Sequence, residues 1–177
     1  MRTRLAVAAL ALAAVSSIGS AQAAADANPW SFGVAVGAAI PMGDFGNAVS
    51  IGFGGGVGAG YRLAPEWSLR GELTYNTWSF KSNPVISGSV SSIGGMVSAV
   101  FDIPMEGGFK PYALGGLGMY NGSCNGCVSE TKVGFGGGVG GGWMMGGQRW
   151  FAEVRYITIQ TTGGSTNYLP IMVGIVF

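Results

Sequence analysis

The chain has 177 residues, 48% of them hydrophobic and only 10% charged, against about 25% charged in an average soluble domain. Its net charge is +1, and without Arg2 and Arg4 it is seven basic minus eight acidic residues, or −1. There is no basic run for nucleic acid, and a water-soluble domain of this size would have too few charges for its surface.

The opening segment is basic at Met1-Arg-Thr-Arg4, apolar from residue 5 to 18, and small at Ala21-Gln-Ala23. That order reads as a secretory signal peptide spanning 1–23, with cleavage expected after Ala23 and Ala24 or Ala25 as the alternatives. Residues 24–29 then form a short N-terminal segment before the body at 30–177. In that body glycine interrupts every apolar run before it reaches the roughly 18–20 residues of a membrane-spanning helix. The chain carries 34 glycines, and each costs a helix interior about 1 kcal/mol relative to alanine. In lipid every backbone group must find a partner within the protein. A secreted, apolar, helix-hostile chain meets that demand by closing a barrel.

A transmembrane strand needs about 9–11 residues of period-2 pattern, and eight such segments follow in order. The first covers 30–40, with Trp30, Phe32, Val34, Val36, Ala38 and Ile40 on one face. The second, 51–63, presents Phe53, Val57, Ala59 and Tyr61; the third, 67–77, presents Trp67, Leu69, Leu73 and Tyr75. The fourth, 91–103, presents Ile93, Val97, Ala99 and Phe101. The fifth, 109–120, is apolar on both faces and its parity is not legible. The sixth, 132–143, presents Val133, Phe135, Val139 and Trp143; the seventh, 150–158, presents Trp150, Val154 and Tyr156. The eighth, 168–177, alternates Leu169, Ile171, Val173 and Ile175 and ends on Phe177.

Connections alternate in length. Those at 64–66, 104–108 and 145–148 are tight and turn-rich; those at 41–50, 79–90, 121–131 and 159–167 are long. Short inner turns and longer outer loops are the asymmetry of outer-membrane barrels, which places both mature termini in the periplasm. Aromatics then mark the inner end of every strand: Trp30, Tyr61, Trp67, Phe101, Phe109, Trp143, Trp150 and Phe177. Amphipathic rings favour the membrane–water interface. Tyr75, Tyr120 and Tyr156 are the candidates for an opposite girdle. Asp44 and Phe45, in the first long connection, read as plain loop.

The heptapeptide Gly52-Phe-Gly-Gly-Gly-Val-Gly58 recurs unchanged at Gly134–Gly140, with Arg70-Gly-Glu72 echoed by Glu153-Val-Arg155 in exchanged order. A four-plus-four duplication and coincidence in a glycine-rich chain both remain open. Parity turns the glycines inward on strands two and six, beside inward charges on strands three and seven. An eight-stranded barrel has an interior just wide enough for side chains to fill it. The expectation is a lumen charge network of Arg62, Arg70, Glu72, Glu153 and Arg155, each with a partner because lone buried charges are costly. The competing expectation is that the glycines leave a narrow aqueous pore.

Other motifs carry less. Gly136-x-Gly138-x-x-Gly141 satisfies a dinucleotide fingerprint literally, but it lies inside a strand with no helix to follow. Cys124-Asn-Gly-Cys127 sits in the third long connection, where an oxidising compartment favours a local disulfide. A metal site would want further ligands, and the chain has no histidine.

Several segments together carry a family likeness: Pro41-Met-Gly-Asp-Phe45, Tyr61-Arg62-Leu63, Trp67-Ser-Leu-Arg-Gly-Glu72, Lys110-Pro-Tyr-Ala-Leu-Gly-Gly-Leu-Gly118, Phe151-Ala-Glu-Val-Arg-Tyr156 and the Phe177 terminus. Over about 30–177 the chain resembles the small OmpA/OmpX-like outer-membrane β-barrel proteins. The resemblance implies an all-β, eight-stranded, antiparallel up-and-down transmembrane barrel without the peptidoglycan-binding domain of full OmpA-type proteins. It implies export by the Sec translocon and folding by the outer-membrane barrel assembly machinery, which recognises a terminal strand ending like this one at Phe177. It implies lipid and lipopolysaccharide neighbours, and no cofactor. Small barrels that modify lipid A use a His with a Ser, and general-base activation of a Ser by His is not available here. The expected role is non-enzymatic, structural or surface-interacting. A narrow small-solute channel is the alternative, and a lipid-modifying enzyme comes third.

Overall fold

The computed structural model describes residues 28–81, 88–124, 129–161 and 163–177. The expected signal peptide and Cys127 lie outside the described residues. The elements run β1 (Trp30–Met42), α1 (Gly43–Ala48), β2 (Gly52–Arg62), β3 (Trp67–Ser79), β4 (Ser89–Asp102), β5 (Phe109–Cys124), β6 (Glu130–Met145), β7 (Gln148–Thr161) and β8 (Gly164–Val176). Each strand pairs antiparallel with the next, and β1 pairs with β8 to close the barrel. Phe32 and Phe177 exchange backbone hydrogen bonds of 3.1 and 2.7 Å, so the two ends of the barrel segment meet at one rim, here called the terminal end.

The alternation read from the sequence is the alternation of exposure. Val36 and Phe53 stand 70% and 72% exposed on the outer face, whereas inward Ala39 and Ser98 are 0% and 1%. Such a broad apolar exterior suits lipid, not water. Among the described residues no helix is long and apolar enough to cross a membrane; the strands do the crossing. The aromatic ring at the terminal end lies in register: Trp30 opposite Tyr61, Trp67 opposite Phe101, Phe109 opposite Trp143, and Trp143 opposite Trp150. The first two pairs touch with centroids 4.9 Å apart. At the tight β6–β7 turn, Gly146 and Gly147 adopt φ of 61° and 79°, a conformation that favours glycine.

Three expectations are corrected. β5 turns its odd residues outward, Leu117 and Met119 among them, and buries Tyr112, Leu114 and Tyr120 in the lumen. Tyr120 therefore belongs to no girdle, while Tyr75 and Tyr156 do face outward. The connection at 41–50 is not plain loop: α1 lays Phe45 against Trp78 at 5.2 Å, edge to face. Several strands also outrun their apolar segments. The β5–β6 ladder continues to Gly122 opposite Glu130, held by polar cross-strand pairs such as Asn121 to Thr131 at 3.0 Å. Apolar alternation stops where lipid stops, but backbone pairing does not need lipid.

Candidate functional site

The lumen is filled in layers, and glycine positions the central one. Gly60 lies opposite Arg70 and Gly58 opposite Glu72 on β2–β3; Gly140 lies opposite Glu153 and Gly138 opposite Arg155 on β6–β7. Each long charged chain thus has a neighbour with no side chain, and can lie across the barrel. A Cβ at Gly138 would come within 2.7 Å of the Arg155 backbone, so that glycine is required by close approach.

The two glutamates sit opposite equivalent glycines of the repeat, 58 and 140. Their arginines do not correspond: Arg70 precedes Glu72, whereas Arg155 follows Glu153. Because β3 and β7 run in the same direction, the arginines approach the glutamates from opposite ends of the barrel. The outcome is a ring of alternating sign. Arg70 Nη2 donates to Glu153 Oε2 at 2.6 Å, and its Nε lies 3.6 Å from Glu72 Oε2. Arg155 Nη2 donates to Glu72 Oε2 at 2.7 Å, and Arg155 also pairs through Nη1 with Glu72 and through Nε with Glu153. Each arginine touches both glutamates, and the formal charge cancels.

β5 supplies a fifth member that sequence reasoning missed. Tyr112 donates its hydroxyl to Glu153 Oε2 at 2.8 Å and holds its ring 5.8 Å from the Arg70 guanidinium carbon. With β5 apolar on both faces, nothing in the sequence marked Tyr112 as inward. Arg62 stands apart from the expected network. It has the right parity but ends β2, two pairs below the Arg70–Gly60 level, and its side chain is exposed at the terminal-end mouth. Water reaches it there, so it needs no buried partner; Asp102 and Arg149 share that mouth with it electrostatically.

On the terminal side of the ring, Val100, Tyr112 and Leu114 form a small apolar cluster. Toward the far end a larger one gathers Ala39, Val49, Trp78, Met96, Tyr120, Ile157, Ile159 and Tyr168, with Phe45 packed on it. Trp78 anchors this aromatic layer. It donates Nε1–H to the Ala39 carbonyl at 2.9 Å and meets the Tyr168 ring at 5.2 Å. A cavity of about 100 Å³ adjoins the ring along Gly56, Gly58 and Gly60. Cys124, at the end of β5, is disulfide-bonded, and the chain has only one other cysteine, Cys127. Among the described residues no His, Cys, Asp and Glu group is arranged to hold a metal ion.

The model of the outer membrane protein beta-barrel domain matches residues 9–177. The chain belongs to that family. The barrel thus sits in the lipid of a bacterial outer membrane. No curated protein is similar enough in sequence to count as a relative. Among solved structures, Neisserial surface protein A superposes with a TM-score of 0.64 at 21% identity, covering 84% of this chain and 96% of that one. Ail, the attachment invasion locus protein of Yersinia pestis, gives 0.55 at 15%, covering 85% and 99%. OprG from Pseudomonas aeruginosa gives 0.55 at 15%, covering 85% and 97%. These likenesses concern the fold.

Proposed function

We propose that this protein is a non-enzymatic envelope barrel whose lumen is sealed, so that it serves as a rigid membrane anchor presenting four connections at the cell surface. The observation that carries this reading is the neutral ring of Arg70, Glu72, Glu153 and Arg155, capped toward the far end by the aromatic layer. In this reading residues 1–23 are removed after Sec export, the barrel assembly machinery takes up the β8 terminus at Phe177, and both mature termini face the periplasm. The far end then faces outward, where lipopolysaccharide surrounds it. One fold neighbour is named as a surface protein, Neisserial surface protein A, and another for attachment and invasion, which supports a surface role here.

Orientation is tested by inserting an epitope at Gly163, an exposed glycine between β7 and β8 with φ of 90°. Antibody should label intact cells; labelling only after the outer membrane is permeabilised would reverse the orientation. A narrow solute channel is the second reading, favoured by the cavity along Gly56, Gly58 and Gly60. Conductance of the reconstituted barrel separates the two.

A further inference from the structure

Two cavities follow the lumen from end to end, and they meet at one pair of side chains. The first, of about 100 Å³, begins at Ser31 and Val176 beside the terminal rim. It touches Arg70, Glu72 and Arg155 of the ring and reaches Tyr120 and Tyr168 in the aromatic layer. The second, of about 260 Å³, starts at those same two tyrosines. It extends to Cys124, Glu130 and Thr161, where β5 ends, β6 begins and β7 ends. Tyr120 and Tyr168 are the wall that the two cavities share.

The first cavity passes the ring because the ring does not fill the bore. The four charged chains come from β3 and β7. On the β1–β2 side the wall is Gly33, Ala35, Gly56, Gly58 and Gly60, with no side chain larger than a methyl. Ser31, Thr74 and Asn76 add polar groups to those of the ring. A polar cavity of this size has room for several waters and hydrogen-bond partners for them. At the crossing, the Tyr120 hydroxyl donates to Met96 Sδ at 3.4 Å, which leaves its oxygen lone pairs to accept from water. Beyond the crossing, Ser91, Ser123, Thr161 and Thr166 line the second cavity, and the Glu130 side chain beside them is 63% exposed. That space is continuous with the water outside. An ion meets different conditions. The charges of the ring already compensate one another, and taking an ion out of water without a counter-charge is costly. A cavity of about 100 Å³ drawn out along the barrel does not hold an ion with its hydration shell.

We infer that the barrel conducts water while excluding ions, in a file that runs along the β1–β2 glycine wall and between Tyr120 and Tyr168. The exclusion of ions rests on the sealed lumen proposed above; the water route goes beyond it.

The test reconstitutes the full barrel into liposomes, mixes them rapidly with hyperosmotic sucrose and follows their shrinkage by light scattering. Ion conductance is recorded in parallel from planar bilayers. Wild-type vesicles should shrink faster than empty ones, in proportion to the protein-to-lipid ratio. Their rate should depend less steeply on temperature than that of lipid alone, with no steady ion conductance. Ala35→Leu should return shrinkage to the empty-vesicle rate. Ala35 lies between Gly56 and Gly174 on the neighbouring strands, so a leucine there extends into the cavity with no side chain directly beside it. Ser31→Leu, at the terminal mouth of the cavity, should have the same effect and serves if Ala35→Leu does not fold, with circular dichroism reporting the barrel in each. Wild-type shrinkage no faster than that of empty vesicles, or a fast rate that either folded variant keeps, overturns the inference and leaves the sealed lumen standing. Fast shrinkage accompanied by steady ion conductance overturns the sealed lumen as well.

Discussion

The ionic ring and the aromatic layer fill the same tube by opposite means. The ring has four charged side chains, all from β3 and β7, and each member contacts two of opposite sign. The layer draws on strands all round the barrel and on α1, and beyond the Trp78 and Tyr120 hydrogen bonds it is held by apolar packing. Charged filling therefore concentrates specificity in a few atoms, so that removing one side chain leaves a buried charge uncompensated. Apolar filling spreads the same task over many contacts, and conservative trimming in it is tolerated. The difference predicts a steep contrast in how the two regions respond to substitution.

The largest effect is expected for Glu153→Ala. It strips Arg70, Arg155 and the Tyr112 hydroxyl of their shared acceptor, and breaking a buried pair by removing one partner costs about 3–5 kcal/mol. Urea unfolding of the refolded barrel measures the loss. A value under 1 kcal/mol would mean that water replaces the carboxylate. Gly138→Ala follows, at about 1–3 kcal/mol, because the new methyl meets the Arg155 backbone. Its control is Gly71→Ala, where nothing lies within 4 Å and stability should hold. In the layer, Ile157→Val should cost only about 0.5–1.5 kcal/mol although Ile157 is 2% exposed. A loss matching that of Glu153→Ala would erase the contrast. Smallest of all is Arg62→Ala, expected within about 0.5 kcal/mol of wild type because its side chain is exposed and outside the ring.

The same contrast explains what could be read in advance. Arg70, Glu72, Glu153 and Arg155 stand out in an apolar chain, and a lipid-facing exterior leaves charges only one face to occupy. Their parity followed from Trp67, Leu69 and Leu73 on β3 and from Trp150, Val154 and Tyr156 on β7. The aromatic layer offers no such clue. Tyr112, Leu114 and Tyr120 point inward while Leu117 and Met119 point outward, so both faces of β5 look alike. Tyr120 could pass for a girdle residue until the backbone register was known. Phe45 was hidden for a different reason: α1 is a single short helix of six residues, too brief to leave a period, and it is held by tertiary contact with Trp78. Arg62 was misplaced because parity states which face a residue takes, not how deep it lies. Strand ends beyond the apolar stretch were hidden because backbone pairing continues there without hydrophobic alternation.

The most direct test of a sealed lumen is single-channel recording from the barrel reconstituted in a planar bilayer, comparing wild type with Arg70→Ala. Sealing by the ring predicts no steady conductance in the wild type and openings that appear once Arg70 is removed. Steady wild-type conductance, unchanged by Arg70→Ala, would show that ions pass the ring freely and would contradict it.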